Sequence, residues 1–273
     1  MPISTSQFTV DAVSSAYWRV SFNNPPVNLI TPEAIHEFQG IVDQVESSEA
    51  LQVVVFESAN PDYFFGRYDM SRASETPTEA GPSGLPMWID MTVRLSQARA
   101  LSIALIRGRT RGGGAELALA CDMRFASLEN AIFGQPEVGA GVLPGGGAIE
   151  RLPLLTGRAR ALEIIVGSDD FGARTAELYG WINRALPDAE LDDYVYGLAR
   201  RIASFDGAAL GEAKRLVNRR ALPEPSDIVE TQEVWLRAAT RPDQLRTANL
   251  GKKVAEVGRA EFEKNMGRYL GEL

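Results

Sequence analysis

Residues 112–137 read GGGAELALACDMRFASLENAIFGQPE, and the interpretation of the whole chain starts from this stretch. Three glycines open an apolar segment that predicts a helix, and Glu116 lies in its first turn. A glycine-rich entry lets backbone N–H groups approach a ligand closely, and a helix N-terminus presents unpaired N–H groups to an anion. A second acid, Glu137, ends the following loop. The pattern predicts an oxyanion hole beside two carboxylates, an arrangement suited to acid–base chemistry.

Simpler interpretations of this stretch stay open at this point. Gly112-Gly113-Gly114 is also typical of a tight turn between a strand and a helix. A nucleotide phosphate loop is disfavoured, because neither a Lys-Ser/Thr ending nor G-x-G-x-x-G spacing is present. Glu116 could be a first-turn acid favoured by the helix dipole, and Glu137 an ordinary loop residue. However, the apolar neighbours of Glu116 predict burial, where a lone carboxylate is costly unless it has a partner or a function.

Composition excludes several classes of protein. The chain has 273 residues, of which 45% are hydrophobic, so it can bury a substantial core. The net charge of −8 argues against a nucleic-acid partner and, more weakly, against an anionic membrane surface. With one cysteine, Cys121, and one histidine, His36, neither an internal disulfide nor a histidine-based metal site or triad is expected. No metal ligands are predicted.

The sequence also predicts where the protein works. The N-terminal residues MPISTSQF lack the basic-then-apolar pattern of a secretory signal. No apolar run approaches the roughly 18 residues of a membrane span. We therefore expect a cytoplasmic protein without a membrane partner.

Hydrophobic patterning predicts alternating helices and strands in the first part of the chain. The elements expected before the glycines are a hairpin, a helix starting at the Thr31-Pro32-Glu33 cap, a buried strand, a polar loop, a helix and a second buried strand, at residues 8–23, 31–45, 51–56, 71–86, 87–100 and 101–106. The polar loop is a candidate lid. His36 falls off the apolar face of the first helix and is expected at the surface.

The chain after the glycines continues in the same way and then becomes helical. Short strands are expected at 123–126, 131–133 and 181–185, with helices near 148–152, 157–166 and 172–179. From Pro187 onward the pattern is helical, with breaks at 223–225 and at Pro242. We predict an α/β core over residues 1–187 and a helical region over 188–273 that forms a cap or an assembly surface.

The segment GGGAELALACDMRFAS…AIFGQPEVGAGVLPGGGAIERLPLLTGRARALEIIVGS resembles the crotonase superfamily, the enoyl-CoA hydratases and isomerases. The likeness extends from the strand near Val53 to about Asn183. It implies the crotonase (ClpP/crotonase-like) α/β fold, a spiral of ββα units with a C-terminal helical trimerisation region. It also implies a homotrimer or a dimer of trimers.

The resemblance also assigns roles to residues that match the family's motifs. Glu116 and Glu137 match the two catalytic glutamates of the hydratases, and Gly113 matches one N–H donor of the oxyanion hole. The second donor comes from a family segment that aligns with Phe64–Asp69, which makes Tyr68 the donor. The residues then expected around the substrate are Gly66, Arg67, Asp69, Arg111 and Gly112.

The sequence departs from the family at two places near the expected pocket. The family's Ala-Gly-Ala is Gly66-Arg67-Tyr68 here, and Arg109-Thr110-Arg111 precedes the glycines where small or apolar residues are usual. One hypothesis is that Arg67 or Arg111 clamps a carboxylate or phosphate of the substrate. The alternative is that these arginines pair with acidic residues of the protein itself.

The function implied by the resemblance is hydration of a 2-enoyl-CoA, as in fatty acid metabolism. This chemistry needs no metal or redox cofactor, because coenzyme A enters as part of the thioester substrate. A Δ3–Δ2 enoyl-CoA isomerase is the alternative enzyme, although family isomerases can work with one carboxylate. A dehalogenase is disfavoured, since residues 138–148 lack the aspartate that family dehalogenases use. A non-catalytic member that binds acyl-CoA or a protein is the alternative outside catalysis.

Overall fold

A computed structural model describes residues 3–4, 6–241 and 245–273, and within these ranges the strands form two sheets. The strands are β1 (Ile3–Ser4), β2 (Phe8–Ser14), β3 (Tyr17–Phe22), β4 (Val53–Ser58), β5 (Leu101–Ile106), β6 (Arg109–Arg111), β7 (Met123–Ser127), β8 (Ile132–Gly134), β9 (Asp170–Gly172) and β10 (Arg184–Leu186). The larger sheet has the order β1-β2-β3-β4-β5-β7-β10, and the smaller has the order β6-β8-β9. The strands from β3 to β10 of the larger sheet run parallel to one another.

Helices connect the strands and form the C-terminal part of the chain. Those up to residue 179 are α1 (Pro32–Ser47), α2 (Met87–Gln97), α3 (Gly113–Ala120), α4 (Ala148–Thr156), α5 (Arg158–Gly167) and α6 (Ala173–Tyr179). Those after residue 187 are α7 (Asp188–Ala203), α8 (Gly207–Ala221), α9 (Pro225–Ala239), α10 (Leu245–Val257), α11 (Arg259–Lys264) and α12 (Met266–Gly271). The proline break predicted between α8 and α9 is confirmed, and the break predicted at Pro242 lies outside the described residues.

The chain moves back and forth between the two sheets, and this produces a spiral. After β5 in the larger sheet comes β6 in the smaller sheet and then α3; after β7 comes β8 and then α4. The preceding turn follows the same path, because Tyr63, between β4 and α2, forms a parallel bridge to Arg109 of β6. Each turn therefore contributes a strand, or a bridge, to each sheet before its helix. The predicted spiral of ββα units is confirmed.

The central strands β4 and β5 of the larger sheet are buried on both faces, as their nearly continuous apolar runs predict. In β4, Val54 and Phe56 pack in the main core with α1 and α2, whereas Val53 and Val55 pack on the opposite side. The side chains that cover this second side come from α7, the first helix after residue 187: Leu191, Val195, Ala199 and Ile202. The domain boundary near residue 187 stays a prediction.

Local signals place several elements correctly. Thr31 caps α1 by accepting a hydrogen bond from Ala34 N at 3.2 Å, and the apolar face of that helix is buried. The hairpin turns between β2 and β3 as expected. His36 is at the surface, with 53% of its side chain exposed. The loop expected at 71–86 is only partly irregular, because Met70–Glu75 forms a 3₁₀ helix. The Asp69 side chain caps this helix by accepting a hydrogen bond from Ser71 N.

Candidate active site

The cavity beside the three glycines has a volume of about 460 Å³. Its floor is the N-terminus of α3 with Glu116, and Tyr68 lies on one wall. The loop that carries Glu137 and Gly146 also lines the cavity. The side chains that close the cavity come from α9 to α12: Gln232, Trp235, Leu250, Val254, Arg259, Phe262, Glu263, Met266 and Leu270. The core and the C-terminal helices of a single chain therefore enclose this cavity together.

The Tyr68 and Gly113 amides lie next to each other at the cavity. Ile30 pairs with the segment by donating its N–H to Arg67 O at 3.0 Å and accepting from Asp69 N at 2.9 Å. This pairing turns the N–H of the intervening Tyr68 away from Ile30. Gly113 begins α3, so its N–H has no acceptor within the helix. A Cβ built on Gly113 would lie 3.7 Å from Tyr68 N. Among the described residues neither amide has a hydrogen-bond acceptor, so both are available to an oxygen atom of a ligand.

Close backbone packing holds these two amides in register. A Cβ on Gly114 would lie 2.0 Å from Phe65 O and 2.5 Å from Gly66 O, so only glycine fits here. On the other side of the segment, Asn28 accepts from Gly66 N at 2.8 Å and donates to Phe64 O at 2.9 Å. The sequence reasoning missed Asn28. Its signal is an asparagine in a proline-rich loop, a residue that tolerates the φ of 50° found here.

Glu116 is buried and held by the glycine-rich loop at residues 138–147. Only 5% of the residue is exposed, and its Oε1 accepts from Gly146 N at 2.6 Å and from Ala148 N at 3.3 Å. Burial raises the pKa of Glu116 to about 7, although the two amide donors favour the ionised form and limit the rise. Trp88 is close by, because a Cβ on Gly146 would meet both Trp88 Nε1 and Glu116 Oε2. The sequence alone does not reveal this contact between the loop and Glu116.

Glu137 lies at the same cavity in a different environment. Its Oε2 is buried and has no hydrogen-bond partner among the described residues. Its Oε1 lies 2.5 Å from the point where a Cβ on Gly112 would be. Burial, and then the neighbouring charge of Glu116, raise the pKa of Glu137 well above its ordinary value. Repulsion between the two carboxylates favours a state in which one of them is protonated, which suits a general acid next to a general base.

The two glutamates should make the fold less stable as the pH rises. The pKa of Glu116 is about 7 in the folded chain against 4.5 for a free side chain, so between these values the folded state binds more protons. The free energy of unfolding therefore falls as the pH rises through this window, by on the order of 1–3 kcal/mol for one such group. Urea denaturation at about pH 5 and about pH 8 should show a smaller loss for Glu116→Gln than for the wild type. Equal losses in both proteins would contradict this.

The remaining residues predicted to surround the substrate do not all reach the cavity. Arg67 and Asp69 line it, whereas Gly66, Gly112 and Arg111 are not among its lining residues. Gly66 instead packs against the backbone of Asn28, and Gly112 packs against the side chain of Glu137.

Arg111 has its hydrogen-bonding capacity used within the protein. Its side chain is buried and binds both carboxylate oxygens of Asp170, at 2.6 and 2.7 Å. It also donates to Glu263 O at 2.7 Å. Arg111 thus connects β6 to β9 and to α11, as the alternative of pairing within the protein predicts. Arg111 is paired with Asp170 and does not line the cavity, so the structure does not support a substrate clamp at Arg111.

The described residues contain neither a cluster of metal-ligating side chains nor a membrane-spanning helix. No group of three or more His, Cys, Asp and Glu side chains there is arranged to hold a metal ion. None of the described helices is both long enough and apolar enough to cross a membrane.

Fold and site together define a protein of the crotonase superfamily. A sequence profile described as enoyl-CoA hydratase/isomerase matches residues 13–253, and the chain belongs to that family. The short-chain-enoyl-CoA hydratase of Clostridium acetobutylicum is 30% identical over 201 residues, which cover 73% of this chain and 77% of that protein. This relative and a further one, from Rhizobium meliloti, are both named as enoyl-CoA hydratases, the latter as a probable one.

Solved structures give the same result. A provisionally assigned enoyl-CoA hydratase from Streptomyces avermitilis superposes with a TM-score of 0.92 at 41% identity, covering 100% of this chain and 99% of that one. An enoyl-CoA hydratase from Mycobacterium avium subsp. paratuberculosis has a TM-score of 0.80 at 22% identity, covering 90% of this chain and 99% of that one. At that identity the second comparison bears on the fold alone.

Proposed function

We propose that the protein adds water across the double bond of a 2-enoyl-CoA to give a 3-hydroxyacyl-CoA. The observation that carries this proposal is the meeting of Glu116 and Glu137 with two unpaired backbone amides in one cavity. Membership of the hydratase/isomerase family supports the choice of a CoA thioester as substrate. An isomerase needs only one carboxylate to shuttle a proton, so the presence of two favours hydration.

The roles of the groups follow from their surroundings. The thioester oxygen accepts hydrogen bonds from the N–H groups of Tyr68 and Gly113, which stabilise the enolate-like transition state. Losing one donor of this kind typically costs about 10²–10³-fold in kcat. The two amides that bind Glu116 favour its ionised form, so Glu116 takes a proton from water. Glu137 Oε2 has no hydrogen-bond partner among the described residues, and burial and the charge of Glu116 raise the pKa of Glu137, so we assign Glu137 the proton at the start of the cycle.

The proton balance then closes over one cycle. The oxygen of water bonds to the β carbon while Glu116 takes the proton that water releases. Glu137 delivers its own proton to the α carbon as the enolate collapses. Glu116 ends protonated and Glu137 ionised, and transfer of one proton from Glu116 to Glu137 restores the starting state. The reaction uses no electron acceptor and no metal ion.

The cavity also bears on the acyl group and the assembly. Ile30, Ile35, Trp88 and Trp235 are apolar walls near the glutamates, which favour an uncharged acyl chain. The homotrimer or dimer of trimers, and the cytoplasmic location expected from the sequence, belong to the same proposal.

The experiment that tests the proposal is loss of 2-enoyl absorbance with crotonyl-CoA and with a long-chain 2-enoyl-CoA. We expect turnover of at least one, with 3-hydroxyacyl-CoA as product. Conversion of a 3-enoyl-CoA to a 2-enoyl-CoA without hydration would support the isomerase instead. Binding of CoA without turnover of any of these substrates would support a non-catalytic member of the fold.

A further inference from the structure

A buried ion pair joins the oxyanion segment to the C-terminal helices. Arg67 lines the cavity directly before Tyr68, and its Nη2 donates to the carboxylate of Glu263 on α11. Its Nη1 donates to Tyr68 O at 3.0 Å. Glu263 is only 3% exposed and also lines the cavity. A buried carboxylate is costly without a cation, so the pair fixes the direction in which Arg67 extends.

Arg67 is also a neighbour of Glu137. The point where a Cβ on Gly112 would lie is 2.5 Å from Glu137 Oε1 and 3.4 Å from Arg67 Cβ. Glu137 Oε2 is buried and has no partner among the described residues. A guanidinium that is free to turn would find in Glu137 a carboxyl that it could bind. The charge of Arg67, paired with Glu263, already opposes the raised pKa of Glu137, and an opposite charge in direct contact lowers the pKa of a carboxyl by roughly 1–3 units.

The other charged groups around Glu137 do not hold Arg67 in place. Apart from the two glutamates, the titratable and charged side chains that line the cavity are Arg67, Tyr68, Asp69, Arg259 and Glu263. The Asp69 carboxylate accepts from the N–H and the hydroxyl of Ser71, and the Tyr68 hydroxyl accepts from the Thr76 hydroxyl. Arg259 is exposed at the rim. Within the described part of the cavity, Glu263 is therefore the carboxylate that neutralises Arg67.

Glu263 is itself fixed by contacts with the core. Arg111 donates to the backbone carbonyl of Glu263 at 2.7 Å, and Arg109 Nε donates to Lys264 O at 2.9 Å. Asp170, the partner of Arg111, also accepts from Gly267 N at 3.3 Å. These bonds attach the junction of α11 and α12 to the smaller sheet, so the Glu263 carboxylate is presented to Arg67 from a rigid position.

We propose that Glu263 is a positioning residue: by binding Arg67 it keeps the guanidinium from pairing with Glu137, so that Glu137 keeps the proton it delivers. This inference rests on the acid role of Glu137 in the proposed function. It assigns to the C-terminal helices a direct influence on the acid–base pair of the core. It also gives Arg67 a role other than a substrate clamp.

The test compares Glu263→Gln with the double variant Glu263→Gln/Arg67→Met. Glu57→Gln is the matched control, because Glu57 is also a buried partner of an arginine, Arg19, but does not line the cavity. The titration of the Glu137 carboxyl is followed by NMR of ¹³C-labelled glutamate, with Glu137→Gln to assign the signal. This readout needs no substrate. The pH profile of kcat with crotonyl-CoA is the second readout.

In Glu263→Gln we expect the Glu137 titration, and the alkaline limb of the kcat profile, to move down by about one pH unit or more. The double variant should return the Glu137 titration and the kcat profile towards wild-type values. If Glu263→Gln had only damaged the structure, removing Arg67 as well would not reverse the shift. An unchanged Glu137 titration in Glu263→Gln, or a shift that persists in the double variant, would overturn the inference. If the titration shifts as expected but the wild type turns over no enoyl-CoA, the proposed function fails and the positioning of Arg67 stands.

Discussion

Glu116→Gln and Glu137→Gln are each expected to lower kcat for hydration of a 2-enoyl-CoA by about 10²–10⁴-fold, with a much smaller change in KM. Each variant removes a proton-transfer group but keeps the size and shape of the side chain. In Glu116→Gln the amide oxygen can still accept from Gly146 N and Ala148 N, so the loop should keep its position. The effect should therefore lie in the chemical step and not in binding.

The measurement is single-turnover loss of 2-enoyl absorbance, with CoA binding measured separately by calorimetry. Glu57→Gln, which replaces a carboxylate remote from the cavity, should keep wild-type kcat. Activity in Glu137→Gln within a few-fold of the wild type would exclude the two-glutamate hydration. It would leave a hydration that needs only one carboxylate, that of Glu116.

Gly114→Ala is expected both to destabilise the protein and to remove most of its activity. The added methyl would lie 2.0 Å from Phe65 O and 2.5 Å from Gly66 O, and both neighbours are backbone atoms that cannot turn aside. Separating α3 from this segment costs about 1–3 kcal/mol, as for overpacking in other cores. It also moves Tyr68 N away from Gly113 N, which should cost about 10²-fold or more in kcat, as for the loss of an oxyanion donor.

Gly40→Ala is the matched control for this prediction. Gly40 lies in α1, and a Cβ built there has no atom within 4 Å. Alanine should therefore stabilise that helix by about 0.5–1 kcal/mol and leave kcat unchanged. Thermal unfolding and kcat are measured for both variants. A Gly114→Ala protein with wild-type stability and activity would show that α3 and residues 65–66 are not in close contact.

The elements of the fold were largely predictable because their causes are local in the sequence. The run at Val53–Phe56 predicts a strand with both faces buried, and the structure divides its side chains between two cores. Thr31 and Pro32 mark a helix start through a hydrogen bond that spans three residues. The glycines before Glu116 predict the N-terminus of a helix at a ligand site, and this signal is also local in the sequence. Such signals act within one or two turns of chain and need no knowledge of the fold.

The partners of the site residues came only from the tertiary structure. Arg67 and Glu263 are 196 positions apart, and Glu116 and Gly146 are 30 apart, so no local rule pairs them. The arginines at 67 and 111 look alike in the sequence, yet one lines the cavity and the other is buried against Asp170. Local patterning predicted the alternating helices and strands and pointed to the two glutamates, and the family resemblance implied the spiral. The packing of the C-terminal helices onto the core decided which charges meet, because burial and long-range contacts set the energy of each ionised group.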